Sequence, residues 1–419
     1  MYKLQLFFLF MVISLMSHAQ LNNYDLYLPA NTNASDNKYT SQIYYNSHLN
    51  SNGLTNGFLN TLNKSGYISD ELKNDQYEQL NGHVLSSHNM IAGADFWINS
   101  QDEDKFSYYF GFDHQQILDS KIDADIIGLL FYGNKKYAGK NLNIDDTHLY
   151  STYFNRMKVG GGIDFGDGDT KHTISGALSI ILGQNYEELT IHKSDFYTQQ
   201  EGEYIDLSIQ ADIELADTSW ANIWTINGIG SSIDLSYSLI KENNYHLALS
   251  IKNLGIINWR NASFSGSADT SLRFQGIQND DDQDQTIPDN FSFDNLRNIV
   301  FKDAREEAFT KMLPMDIHIT GGKYFSNSKF YAGVSTVFFP SLHRSYIAEV
   351  FFTWNHKDKF HITPIVAYNS LEQLTAGLAI GVNISKSISI RAGSSYLTSS
   401  FNSQAPAAQG GFVSFIFVK

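Results

Sequence analysis

The chain has no cysteine, only six prolines in 419 residues, and one long apolar run, Leu4 to Met16. Missing cysteine excludes disulfide scaffolds, thiolate zinc sites, iron–sulfur clusters and cysteine nucleophiles together. The lack of further runs of about 18 apolar residues excludes a bundle of transmembrane helices. Basic stripes are missing too. Lys+Arg 29 against Asp+Glu 44 leaves a formal charge of −15, and neutralising phosphate needs the opposite balance, so no nucleic-acid partner is expected. What the chain holds in quantity is aromatic or small: 29 Phe, 24 Tyr and 30 Gly, a mix that favours strands and turns.

Lys3 precedes the apolar run, and Ser17-His18-Ala19 follows it with small residues in cleavage-site spacing. That is the pattern of a signal peptide over residues 1–19, too short to span a bilayer comfortably. Export is expected, and without cysteine there is no lipid tether.

Beyond that address the apolar period is two. Ile205, Leu207, Ile209, Ala211, Ile213 and Leu215 alternate with Asp206, Ser208, Gln210, Asp212 and Glu214, which puts one set on each face of a strand. Ile233, Leu235, Tyr237 and Leu239 alternate with serines and Asp234, and Tyr245, Leu247, Leu249 and Ile251 with His246, Ala248, Ser250 and Lys252. A short turn at 241–244 makes these two a hairpin. The last hundred residues read likewise, strand following strand, which implies antiparallel neighbours. Earlier candidate strands are 38–49, 83–99, 105–116, 147–166, 171–183 and 185–198, with Asp167-Gly168 as a tight-hairpin signal.

Length decides where such strands live. Globular strands usually have about 5–6 residues, whereas crossing a bilayer at a tilt takes roughly 9–11. These are of the long kind, and their polar face would be intolerable in a dry core. The fold expected is therefore all-β, a transmembrane antiparallel β-barrel of about 14 strands, with about 16 as the other count, and a few short helices inside it or at its mouth. Residues 20–82 form an N-terminal segment with the first strand and a helical insert that is a plug candidate. Residues 83–419 form the barrel, with a long loop over 260–314. The competing architecture is a secreted β-sandwich; the chain shows no propeller repeat. Tyr150, Trp224, Trp259, Tyr324, Trp354 and Tyr368 are candidates for the interfacial aromatic girdles.

Helical spacing is confined to short pieces: 57–80 in two parts broken near Gly66; Ile122 to Leu130, stopped by Gly133-Asn134; and Asp294 to Met312. The acidic loop over 276–291 holds Asp280, Asp282 and Asp284 at the alternate spacing of calcium ligands, with Gln285 where such loops need glycine. Calcium is the one cofactor considered there, against a plain solvated loop. Thirteen histidines are scattered without metal-ligand spacing, and no Gly-x-Ser-x-Gly elbow or phosphate-cradling loop occurs. No enzymatic activity is expected. Gly160-Gly161-Gly162 lies within a strand, where it permits a bend or a close approach.

Four stretches carry a family resemblance: Gly66-Tyr67-Ile68-Ser69-Asp70-Glu71-Leu72, Leu129-Leu130-Phe131-Tyr132-Gly133-Asn134, Ile233-Asp234-Leu235 and Leu254-Gly255-Ile256-Ile257-Asn258-Trp259. In their order they resemble a family of Bacteroidota outer-membrane β-barrel proteins of unknown function and, more distantly, the FadL-like and PorV-like barrels. The resemblance implies an outer-membrane location and a barrel commonly drawn with about fourteen strands. It brings no substrate, and no ligand pocket carries over residue by residue.

The resulting functional expectation is a passive conduit for small solutes in the outer membrane, or a membrane-embedded component of an envelope assembly. Lumen-facing Asp206, Asp212, Glu214, Asp234, Lys252 and Arg391 would set the field, acidic on balance. The alternatives are a plugged scaffold docking envelope proteins and a FadL-like uptake route for hydrophobic ligands, with the glycine run as a lateral kink. Lipid is the partner every version requires.

Overall fold

The structure, a computed structural model, describes residues 38–64, 67–100, 106–166, 169–216, 225–241, 244–275, 305–326, 329–357 and 359–419. The expected signal peptide, Gly66, Asp167-Gly168, Trp224 and the Asp280, Asp282, Asp284 trio lie outside the described residues.

Among the described residues, nineteen strands form one antiparallel sheet. In chain order they are β1 (Tyr39–Thr55), β2 (His83–Asn99), β3 (Phe106–Asp123), β4 (Asn141–Leu142), β5 (Thr147–Phe165), β6 (Thr170–Thr198), β7 (Ile205–Ala216), β8 (Gly228–Lys241), β9 (Tyr245–Trp259) and β10 (Ser263–Phe274). Then come β11 (Arg305–Glu306), β12 (Phe309–Met312), β13 (Asp316–Phe325), β14 (Phe330–Phe338), β15 (Tyr346–His356), β16 (Phe360–Asn369), β17 (Leu374–Asn383), β18 (Ile388–Ser394) and β19 (Pro406–Val418). Fourteen of them close a ring: β1, β2, β3, β5, β6, β8, β9 and then β13 through β19, with β19 returning to β1 over Thr40↔Val418 to Asn50↔Ala408. The chain is an all-β, closed 14-stranded antiparallel barrel. No helix of the described residues is long and apolar enough to cross a membrane.

Five strands do not belong to the ring. β6 runs for 29 residues and changes neighbour partway: Thr170 to Gly183 pair with β8, and Tyr186 to Thr198 pair with β7. β7 pairs in turn with β10, and β10 with β11, so a flap of sheet rises beyond the barrel. β4 pairs with the end of β6, and β12 continues β13 along β9 after a break at Leu313-Pro314-Met315.

One mouth of the barrel carries short connections, such as β8–β9 and β17–β18, and the other carries the long ones. Helices α1 (Asn56–Asn63), α2 (Asp70–Glu78), α3 (Ala124–Tyr132) and α4 (Leu397–Ser400) all belong to the long-connection end. Thr55 and Ser69 cap α1 and α2 through their hydroxyls, accepting from the N–H groups of Phe58 and Leu72. Of the two placements expected for the short helices, inside the barrel or at its mouth, the mouth is the one observed. Phe58, Leu59, Leu62 and Ile127 pack with Leu49, Val84, Ile122 and Leu149. Uninterrupted alternation along β1, β2 and β3, and along β5 in register with β3, puts those wall residues on the outward face. Helices α1 and α3 clad the outside of the wall, where strands of 17 to 19 residues outrun the roughly 9–11 a bilayer needs. The helix expected up to Met312 is also corrected: among its described residues, 305–312, Arg305–Glu306 and Phe309–Met312 are strands, β12 pairing with Trp259 to Ile256 of β9.

Below the helices the outward face is apolar and uncovered. Ile43, Met157, Leu178, Ile233, Val334, Val350, Val366 and Ile380 are all exposed. Phe106, Tyr108, Phe165, Tyr245, Phe325 and Trp354 stand outward near the short-turn mouth, the place of one interfacial girdle. Of the girdle candidates read from sequence, Trp354 and Tyr368 face outward, while Trp259 and Tyr324 are buried within the barrel and Tyr150 packs against the same inner cluster as Trp259.

Val350, at mid-strand and 60% exposed, separates a lipid-facing wall from a wet one. Val350→Arg is expected to destabilise the protein in lipid vesicles by about 2–4 kcal/mol, measured by urea unfolding. A cost below about 0.5 kcal/mol, as at an ordinary watery surface, would contradict a lipid-facing position.

Candidate functional site

The lumen is layered along its axis, and each layer follows from which residues the strands turn inward. Toward the long-connection mouth lies a dry layer. Ile117 of β3, Phe154 of β5, Ile181 and Tyr186 of β6, Ile257 and Trp259 of β9, Val337 of β14 and Ile347 of β15 meet inside the ring. Three residues of the connections complete the layer: Leu313 from the break between β12 and β13, and Phe339 and Leu342 from the loop 339–345 between β14 and β15. Trp259 is 1% exposed, and its ring lies so close to β6 that a Cβ on Gly183 would stand 2.6 Å from it. Glycine is what lets the indole lie flat there.

Beneath the dry layer a buried ionic bridge crosses between strands. Arg156 of β5 donates from Nε and Nη2 to the two carboxylate oxygens of Asp113 on β3, at 2.9 and 2.8 Å, and from Nη1 to Asp234 of β8 at 3.3 Å. The same Nη1 donates to Asn253 Oδ1 at 2.5 Å. Asp113 is 0% and Arg156 2% exposed. Lys158, one inward position further along β5, bridges Asp113 and Asp95, each at 2.9 Å. Asn253 is the hinge of this layer. It sits at φ 61° where the β8–β9 register slips between Ile233 and Leu235, a bulge in β9. The bulge lets its backbone N–H donate to Asp234 at 2.9 Å while its side-chain amide donates to Gln115 and to the carbonyl of Pro314.

From there to the short-turn mouth runs a polar cavity of about 490 Å³. Its wall carries Asp95, Asp164, Asp234 and Asp316 against Arg156, Lys158, Lys171 and Lys252, four acids facing four bases, with His246 and His318 between them. The side of the barrel away from it is filled by Tyr324, Tyr331, Phe351, Ile365 and Phe412.

The residues singled out from sequence distribute as follows. Asp234 and Lys252 line the cavity. Arg391, on β18, is buried on the lumen side at 3% exposure and lies outside the cavity wall. Asp206, Asp212 and Glu214 are on β7, in the flap and not in the ring. There Asp206 takes a two-pronged bond from Arg273 at 2.7 Å, Asp212 accepts from Ser267, and Glu214 shares Lys311 with Glu188. With those three outside the ring, the cavity wall is balanced in charge where an acidic lumen was expected. The residues missed are Asp113, Arg156, Lys158 and Asn253. Alternation marks Arg156 and Lys158 as sharing a face, but what they pair with depends on strands 43 to 97 positions away.

The lumen and ring together define a closed β-barrel with a polar cavity in its lumen. The chain belongs to the Family of unknown function (DUF5723), whose model matches residues 19–388. No curated protein matches it. Among solved structures it is similar to the TodX deltaS2S3 mutant monoaromatic hydrocarbon channel, at 9% identity and a TM-score of 0.43, covering 96% of each chain. It is also similar to the Pseudomonas putida toluene transporter TodX, at 8% identity and a TM-score of 0.33, covering 97% of this chain and 95% of that one. A third similarity is to the transport unit of the Escherichia coli autotransporter AIDA-I, at 8% identity and a TM-score of 0.28, covering 99% and 96%.

Removing one member of a buried pair leaves the other charged and unpaired, which costs about 3–5 kcal/mol, while replacing both with apolar groups is often neutral. Arg156→Met leaves Asp113 with Lys158 alone and takes the arginine from Asp234, so it is expected to destabilise the barrel by up to about that amount in urea unfolding. Adding Asp113→Leu should recover part of the loss. Equal destabilisation by the single and double variants would mean that the bridge is not the unit described.

Proposed function

We propose that the protein is an outer-membrane barrel whose conduit is closed at rest, offering its polar cavity to a small hydrophilic solute from the short-turn side. In outer-membrane barrels short turns face the periplasm, so the cavity would open inward and the dry layer would seal it from outside. The observation that carries this reading is the make-up of the dry layer. Phe339, Leu342 and Leu313, which complete the dry layer, come from connections and not from ring strands. A layer completed by connections can open at those residues while every ladder stays paired. The balanced wall favours a zwitterionic or neutral polar solute over a simple cation or anion. No catalytic role is part of this reading, and lipid is the partner the outer face requires.

The flap favours a second reading, a membrane-embedded component of an envelope assembly. β7 and β10 carry exposed polar residues beyond the ring, including Asp206, Asp269 and Arg273, as a docking surface for another envelope protein would. Uptake of hydrophobic ligands through a lateral opening has less support. Gly160, Gly161 and Gly162 keep their partners on both β3 and β6, and the cavity wall is polar.

Planar-bilayer recording tests the closed conduit. The intact protein is expected to show no steady conductance. A variant in which residues 339–345 are replaced by a short Gly-Ser link is expected to conduct with little preference between cations and anions. A large open conductance in the intact protein, or a silent loop variant that still unfolds cooperatively, would reject the reading.

A further inference from the structure

Above the dry layer, three side chains that neither the bridge nor the cavity uses come together on the lumen side. Asp119 is on β3, His148 is on β5, and His343 is on the inserted loop 339–345. Each offers one ligand atom, and the three atoms lie within 4.8 Å of one another. The loop is already tied to the wall here, since the backbone N–H of His343 donates to Asp119 Oδ2 at 2.9 Å and its Nδ1 lies 2.5 Å from the same oxygen. Asp119 is 1% exposed, and its second oxygen, Oδ1, is buried without a hydrogen-bond partner. His148 bonds Glu188 through Nε2 at 3.2 Å, and its Nδ1 is likewise buried without a partner.

We propose that Asp119, His148 and His343 bind one divalent first-row transition-metal ion, of which Zn²⁺ is the best fit, and that the ion fastens the loop 339–345 to the barrel wall. Two imidazoles and one carboxylate are a donor set for such ions and leave room for water as further ligand. The orphaned lone pairs of Asp119 Oδ1 and His148 Nδ1 are what a cation would satisfy. Glu188 supplies the outer partner that metal-bound histidines generally have: its carboxylate accepts the Nε2 proton of His148 and so leaves Nδ1 as the ligating atom. Ligands at about 2.0–2.2 Å from one ion stand roughly 3–3.5 Å apart, so binding draws the three groups slightly together. Of the three, His343 is on a connection and has the freedom to close that gap. The side chains of His148 and His343 are 24% and 28% exposed, which leaves the ion a way in from the long-connection mouth. The binding claim rests on these donors alone and does not require the closed conduit.

The test uses untagged full-length protein in detergent, stripped with chelator and titrated with Co²⁺ and then Zn²⁺. One equivalent of Co²⁺ is expected to bind saturably with visible ligand-field bands that Zn²⁺ abolishes. Asp119→Asn and His148→Gln should each weaken Zn²⁺ at least tenfold by calorimetry, and Glu188→Gln should weaken it about 10–100-fold. His356→Gln, exposed on another strand end, should leave it unchanged. Pulsed EPR of the Cu²⁺-loaded unaltered protein, which needs no variant to fold, should count two imidazole nitrogens. No saturable binding below about 1 mM, any other imidazole count, or affinity indifferent to Asp119→Asn and His148→Gln would overturn the proposal.

Discussion

The structure depends on one constraint: lipid offers no hydrogen-bond partner, so every N–H and C=O of a strand crossing it must be paired within the protein. An open sheet has two edges that fail this condition. Here both are removed by the pairing of β1 with β19, an unbroken register from Thr40↔Val418 to Asn50↔Ala408. The same constraint explains why irregular backbone is confined as it is. The break at Leu313-Pro314-Met315 and the bulge at Asn253 face each other across β9 and β13, where the freed groups find partners in the lumen: the Asn253 amide donates to the Pro314 carbonyl, and its N–H to Asp234. A proline in a ring strand costs a ladder bond, as Pro364 does in β16, where the pairing with β15 lapses between Phe351↔Ile365 and Trp354↔Ile362. Pro314 avoids that cost by sitting in the gap between two strands.

Closure then dictates what the inside must do. Alternation sends a polar side chain inward at every second position, and a ring of fourteen strands has more interior than side chains alone fill. The polar groups that lie deep must pair, as Thr353 does with Thr363 and Glu349 with Ser395, and the charged ones must pair with geometry good enough to offset desolvation. Arg156 meets that demand because it is bidentate to Asp113 and still reaches Asp234 and Asn253. Its planar fork suits that arrangement where a lysine would not. Lys158, a point charge, takes the simpler place between Asp113 and Asp95.

What was legible in the sequence follows the range of the interaction that decides it. Facing is local. The alternation from Ile205 to Leu215 or from Leu374 to Asn383 therefore gave strands and their two faces directly, and the hairpin of β8 and β9 was visible from its turn. Helical spacing and a glycine stop are local as well, which is why the pieces near 57–80 and 122–130 read as helices. Ring membership is not local. β7 alternates as cleanly as β8, yet β6 hands its edge from one to the other at Gly183 to Tyr186, and no pattern within β7 records the exchange. That is why Asp206, Asp212 and Glu214 were placed with Asp234. The period-3.6 pattern before Met312 was misleading for a related reason. Phe309 to Met312 are held extended by the ladder with Trp259 to Ile256, and tertiary pairing overrides a local preference that spans so few residues. The side on which helices settle is equally nonlocal: their apolar faces fit any apolar surface, and here the outward face of overlong strands supplied one.

The division between ring and connections also settles which parts of the molecule are free to change. A strand of the ring cannot move without exposing unpaired backbone to lipid, so β3, β5 and β8, which hold the bridge, are fixed relative to one another. The loop 339–345 and the segment 313–315 carry no such debt, since they hang from strand ends inside the lumen. Asn253 joins the two classes: its side chain accepts from Arg156 on the fixed wall and donates to the carbonyl of Pro314 on the interrupted segment. A displacement of Pro314 would therefore leave an Asn253 donor unpaired in a buried layer, at a cost of about 1–3 kcal/mol, unless water or a solute from the cavity below took the place of the carbonyl. In the closed conduit proposed above, occupancy of the cavity and the position of the seal would in this way be coupled through one amide, with no motion of the ring required.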